Sequence, residues 1–69
     1  MFIEIITKSN EVILLNVNKI LYIIKTRKET ALIVDVDGNE YSLNESYYSF
    51  VERLETLKQL KSCQNVQKV

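Results

Sequence analysis

Histidine is absent from the 69 residues, glycine and cysteine occur once each, and the charges cancel. Each shortage removes a class of function. Without histidine the chain lacks the side chain that most often serves as general base or transition-metal ligand near neutral pH. Cys63 has no second cysteine for an internal disulfide and no imidazole to activate it, so it reads as an incidental thiol of a reducing compartment. A single glycine, Gly38, rules out a glycine-rich phosphate loop. Nine basic and nine acidic side chains, with a pI of about 6.2, deny the long-range field of a dedicated polyanion binder. Nucleic acid is thereby disfavoured as a partner. The apolar run Ile20-Leu21-Tyr22-Ile23-Ile24 is far too short to span a bilayer, and Met1-Phe2-Ile3-Glu4 lacks the basic start and long apolar core of a signal peptide. The expectation is a cytoplasmic protein that is not an enzyme, carries no cofactor or metal, and stays off membranes.

What the chain does have is short β-branched and aromatic runs separated by polar pairs. Strands are predicted over Phe2 to Lys8, Glu11 to Asn16, Ile20 to Arg27, Thr30 to Val36 and Asn39 to Asn44. Ser9-Asn10, Lys28-Glu29 and Asp37-Gly38 read as the hairpin turns. Gly38 is the strongest of these signals, because glycine enters positive φ without a steric penalty. Asn16-Val17-Asn18-Lys19 reads as a corner, its asparagines able to accept local backbone bonds.

After Ser46 the apolar period changes from two to 3.6. Tyr47, Phe50, Val51, Leu54 and Leu57 then fall on one stripe of a helix spanning about 46–61, capped by Ser46 or Asn44. Glu45 suits the positive end, and Lys58 and Lys61 the negative end. Tyr48 and Leu60 each lie about 100° off that stripe. Residues 62–69 read as a polar, frayed tail outside a single domain of residues 1–61. The fold class is therefore α+β and mainly β: about five short antiparallel strands in hairpins, flat or curled into a small open barrel, closed by one C-terminal amphipathic helix.

The first three strands are apolar on both faces. Phe2 and Ile6 oppose Ile3 and Ile5, Val12 and Leu14 oppose Ile13 and Leu15, and Ile20, Tyr22 and Ile24 oppose Leu21 and Ile23. One helix covers one sheet face, so the second must curl inward or meet another chain. Small domains without disulfides or metals often recruit oligomerisation. If Ile20, Tyr22 and Ile24 face the core, the candidate interface is Ile13, Leu15, Leu21 and Ile23, extended by Tyr48 and Leu60 on the helix. The expected partner is a second copy or another protein.

Other constellations are weaker. Asp35-Val36-Asp37-Gly38-Asn39-Glu40 is similar to the opening of a calcium loop, yet the position that needs a bidentate glutamate is Ser46, and a hairpin turn is favoured. Asp35, Asp37 and Glu40 read as a solvated turn, unsuited to acid–base work in a dry pocket. Lys25, Arg27 and Lys28 with Tyr22 form the one basic and aromatic cluster suited to phosphates and stacked bases, the alternative nucleic-acid site. A small-molecule or nucleotide site between subunits is the third alternative.

The run Leu15-Asn16-Val17-Asn18-Lys19-Ile20-Leu21-Tyr22-Ile23, then Lys28-Glu29-Thr30, then Asp37-Gly38-Asn39-Glu40-Tyr41-Ser42-Leu43-Asn44-Glu45-Ser46 ahead of an amphipathic helix, resembles the FlbD/SwrD family of small flagellar and swarming motility proteins. The similarity covers residues 1 to about 58. Ile20-Leu21-Tyr22-Ile23 followed by Asp37-Gly38-Asn39-Glu40-Tyr41 and Ser46 also looks like the first half of a LytTR DNA-binding domain, whose later DNA-contacting strands have no counterpart here. Both resemblances imply a hairpin-and-helix topology; the first implies a motility role.

Overall fold

The computed structural model describes the backbone of residues 1–66 and the side chains of residues 1–58. Five antiparallel strands, β1 (Phe2–Ile6), β2 (Val12–Asn16), β3 (Ile20–Lys25), β4 (Thr30–Asp35) and β5 (Glu40–Ser46), precede one helix, α1 (Tyr47–Val66). The fold is α+β and mainly β. A 3₁₀ turn over Val17–Lys19 makes the expected corner between β2 and β3, with Asn16 Oδ1 accepting from the Asn18 N–H at 3.1 Å. The strands form a two-stranded sheet β1-β2 and a three-stranded sheet β3-β4-β5. One bridge, Thr7 to Leu43, with the Lys8 N–H donating to the Ser42 carbonyl at 2.9 Å, joins the end of β1 to β5. The sheets curl toward each other but do not close. Among the described residues the outer edges of β2 and β3 have no strand partner.

All three hairpins use one turn, and it is a residue longer than the two-residue loops predicted. The turns run Thr7 to Glu11, Thr26 to Thr30 and Asp35 to Asn39. In each, the first residue donates its N–H to the carbonyl of the fifth (2.9, 3.0 and 3.0 Å), and the fourth donates to the carbonyl of the first (2.9, 2.9 and 3.0 Å). The fourth residue has positive φ: Asn10 at 66°, Glu29 at 64° and Gly38 at 87°. This is a type I turn followed by a left-handed residue, the three-residue loop whose twist suits antiparallel strands. The first residue also accepts, through its side chain, from the N–H of the fifth: Thr7 Oγ1 at 3.1 Å, Thr26 Oγ1 at 3.2 Å and Asp35 Oδ1 at 2.9 Å. That acceptor satisfies a donor that the bulge takes out of the ladder.

The inner faces of both sheets and the helix stripe share one core. Ile3, Ile5, Leu15, Ala31, Ile33 and Leu43 are buried with Phe50 and Leu54, and Tyr41, Ile13, Ile20, Ile23 and Leu57 pack around them. The predicted stripe is thus the inward face of α1. Ser46 Oγ caps it by accepting from the Ser49 N–H at 3.1 Å, and the Tyr47 N–H donates to the Glu29 carbonyl at 2.7 Å. Helix start and β3–β4 turn are therefore fixed together. The helix continues to Val66, past the predicted end near 61, because no glycine or proline in that stretch interrupts it. Residues 67–69 of the expected tail lie outside the described residues.

Candidate interaction surface

Strand alternation and one bulge decide which apolar side chains reach the surface. In β1 and β2 the paired rows are Phe2 with Asn16, Glu4 with Leu14 and Ile6 with Val12; between them lie Ile3 with Leu15 and Ile5 with Ile13. The second set faces the core and the first faces outward. Phe2, Ile6, Val12 and Leu14 consequently stand in the open on one sheet face, Val12 62% and Leu14 65% exposed. They are about half exposed, so burying the remainder would release about 1–1.5 kcal/mol apiece, a reservoir that the single chain leaves unused.

In β3 the register with β4 shifts between Ile20 and Tyr22. Ile20 and Ile23 both pack against the core, while Leu21 and Tyr22 are both exposed, 54% and 58%. A bulge inserts one residue and so reverses the alternation that a regular strand would keep. The expected grouping of Ile13, Leu15, Leu21 and Ile23 on one outer face is corrected accordingly. Leu15 is 5% exposed and belongs to the core, Ile13 and Ile23 line it, and Leu21 alone of the four is on the surface. The outward residues that sequence reasoning left off the interface are Phe2, Ile6, Val12, Leu14 and Ile24. Tyr48 is exposed as expected; the side chain of Leu60 lies outside the described residues.

The basic cluster is divided. Tyr22 and Ile24 point outward, whereas Lys25 shares the opposite parity with Ile23 and sits across from buried Ala31. Lys25 Nζ reaches the α1 start, donating to the Tyr48 hydroxyl at 3.0 Å, and that bond together with the phenol's charge raises the ammonium above its ordinary 10.5. Tyr47 meets Tyr48 edge to face at 5.4 Å between centroids. Arg27 and Lys28 lie in the exposed β3–β4 turn. No single face presents Tyr22 together with Lys25, so the stacking-plus-phosphate arrangement does not assemble around this strand.

Of the carboxylates at the β4–β5 turn, Asp37 and Glu40 are exposed as expected, whereas Asp35 is not. Asp35 is 4% exposed. Its oxygens accept from the Asp37 and Asn39 N–H groups (both 2.9 Å), from Asn39 Nδ2 (3.2 Å) and from the Tyr41 hydroxyl (3.2 Å). Burial alone would push its carboxyl up; the hydrogen bonds from Asn39, Tyr41 and Asp37 outweigh that and hold it below 3.8. The same contact, added to burial, keeps the Tyr41 phenol above its usual 10.0. Asp35 is thereby committed as the hub of its turn. Glu45 is similarly committed. Arg53 grips it in two-pronged fashion (Nε to Oε2 3.0 Å, NH2 to Oε1 2.8 Å) and donates to the Glu4 carbonyl at 2.9 Å, tying α1 to both sheets. Among the described residues no three Cys, Asp or Glu side chains gather to hold a metal ion, and no helix is long and apolar enough to cross a membrane.

Fold and surface together define a mainly β domain with a single shared core and an apolar outer side on each sheet. No protein-family model, curated protein or solved structure matches the chain.

Proposed function

We propose that the protein is a non-enzymatic interaction module that self-associates through the β1–β2 hairpin, acting as an adaptor, regulator or inhibitor. The observation that carries this reading is the outer face of that hairpin. Four large apolar side chains, Phe2, Ile6, Val12 and Leu14, share it with Glu4 and Asn16, and among the described residues none covers them. Contiguous apolar surface of this kind is costly to leave in water and marks association sites. The commitment of Asp35 and Glu45 to structural hydrogen bonds supports a role without acid–base chemistry. The resemblance to the FlbD/SwrD family adds motility machinery as the setting in which such a module would act.

Sedimentation velocity over a micromolar concentration series tests the reading. Wild type is expected to sediment as a multiple of the 8.1 kDa chain, and the double variant Ile6→Lys, Val12→Lys as the single chain with an unchanged far-UV spectrum. A wild-type protein that stays monomeric across the series overturns the reading.

A further inference from the structure

We infer that two copies pair antiparallel through the free edge of β2, about a two-fold axis at Leu14, to make one continuous four-stranded sheet β1-β2-β2-β1. The inference rests on the self-association reading and adds a contact along the edge of the same hairpin; in-plane pairing sets Leu14 against its copy and leaves Phe2 and Ile6 on the open outer face.

The hydrogen-bond phase of the β1–β2 ladder shows which groups are available. The Val17 N–H donates to the Met1 carbonyl and the Thr7 N–H to the Glu11 carbonyl, both at 2.9 Å, so pairs built on odd-numbered residues exchange the ladder bonds. Antiparallel pairs alternate between bonded and non-bonded. Ile13 and Leu15 therefore spend their backbone groups on β1, while Val12 and Leu14 aim their N–H and C=O groups, and Asn16 its N–H, at the open edge; the Asn16 carbonyl opens the 3₁₀ turn. A two-fold at Leu14 sets Leu14 against its own copy and Val12 against Asn16, in both directions. Leu14 then exchanges both bonds with its copy and the Val12 carbonyl accepts from the partner's Asn16 N–H; Leu14 is the midpoint of Val12–Asn16, so this axis overlaps the whole strand. Ile13 falls opposite Leu15 in the close, non-bonded pairs, which extends one core toward the other.

The strand itself sets no charge against a second copy. Val12–Asn16 contains no ionisable side chain, so no like charges meet within the ladder. The clefts at the two ends each carry one lysine with two carboxylates, Lys19 with Asp35 and Asp37 at one and Lys8 with Glu11 and Glu40 at the other. The other open edge has the features by which proteins block such pairing. β3 is bulged at Leu21 and ends on Lys25, with Lys19 just before it and Arg27 just after. β2 has neither bulge, proline nor lysine.

Leu14→Pro is the discriminating variant. It deletes an N–H that the monomer does not use and leaves the β1–β2 bonds in place, and proline is tolerated at such an edge position. Leu14→Ala, which keeps the N–H, is its control. Expected in sedimentation is a wild-type and Leu14→Ala species of twice the 8.1 kDa mass, with Leu14→Pro at the single-chain mass. A dimeric Leu14→Pro protein overturns edge pairing while leaving self-association standing; a monomeric wild type removes both. Amide exchange of the wild type reads the same point without any variant. Leu14 and Asn16 are expected to exchange about tenfold or more slowly at high than at low protein concentration, with Ile13 and Leu15 protected throughout. Equal, fast exchange of Leu14 and Asn16 in the associated species overturns the inference.

Discussion

Glu29 is the residue most at odds with its backbone. At φ 64° it occupies the left-handed region that costs an L residue with a Cβ roughly 1–2 kcal/mol, and its exposed side chain makes no described hydrogen bond in return. Its carbonyl, by contrast, anchors the Tyr47 N–H at the helix start, which holds the conformation in place. Gly38 fills the equivalent position of the next turn, where a Cβ would meet open space, so any penalty there is purely conformational. The two sites give a reciprocal prediction. Glu29→Gly is expected to stabilise the protein by about 0.5–1 kcal/mol and Gly38→Ala to destabilise it by about 1 kcal/mol. Urea midpoints at constant m-value check both, and Glu29→Gly leaving the midpoint unmoved or lowering it would contradict the shared turn. Only Gly38 announced its turn position in the sequence. Asn10 holds the last loop position in both the expected and the observed turn, the extra loop residue being Lys8, and glutamate carries no signature for positive φ, since it is the bulge geometry that imposes it.

At the scale of elements, the β4–β5 hairpin is organised by a carboxylate whose charge is part of the turn. Asp35 is held below 3.8, and Glu45, at the far end of β5, is held below 4.5 by Arg53 and Ser49 against the opposing effect of its partial burial. Both folded-state values lie under their unfolded ones, so in that window the unfolded chain binds more protons and stability rises with pH. The contribution is complete above the ordinary carboxylate range and is lost as pH falls through the two depressed values. Asp35→Asn puts an amide donor where four donors converge, and is expected to lower the melting temperature by several degrees at pH 7. The difference from wild type should shrink as pH falls through the depressed Asp35 value. Denaturation curves between pH 2 and 7 measure this; a gap independent of pH would show that the charge does not matter to the turn. Elements were more legible than residues. Five strands, the 3₁₀ corner and the helix stripe of Tyr47, Phe50, Val51, Leu54 and Leu57 follow from apolar period and turn chemistry. The parity of β3 did not, because Ile20-Leu21-Tyr22-Ile23-Ile24 is apolar at every position and carries no mark of where a bulge falls.

For the whole molecule that misreading had a definite consequence: it exchanged the inside and the outside of the candidate surface. Two-sided apolar strands announced that a surplus face existed, while long-range packing of Leu15 and Ile23 against β4, β5 and α1 decided which face it was. The resulting surface couples stability to concentration. If folding and pairing are one equilibrium, each tenfold rise in protein concentration favours the folded dimer by RT ln 10, about 1.4 kcal/mol per dimer. At roughly 2.1 cal/mol/K of unfolding entropy per residue, two 69-residue chains give a rise of about 5 °C in melting temperature per decade. Calorimetry from low to high micromolar concentration is expected to show that slope for wild type and a flat line for the double variant Ile6→Lys, Val12→Lys, whose outer face can no longer be buried cheaply. A flat wild-type response would mean that the monomer folds to its full stability alone, leaving Phe2, Ile6, Val12 and Leu14 exposed for a partner other than a second copy.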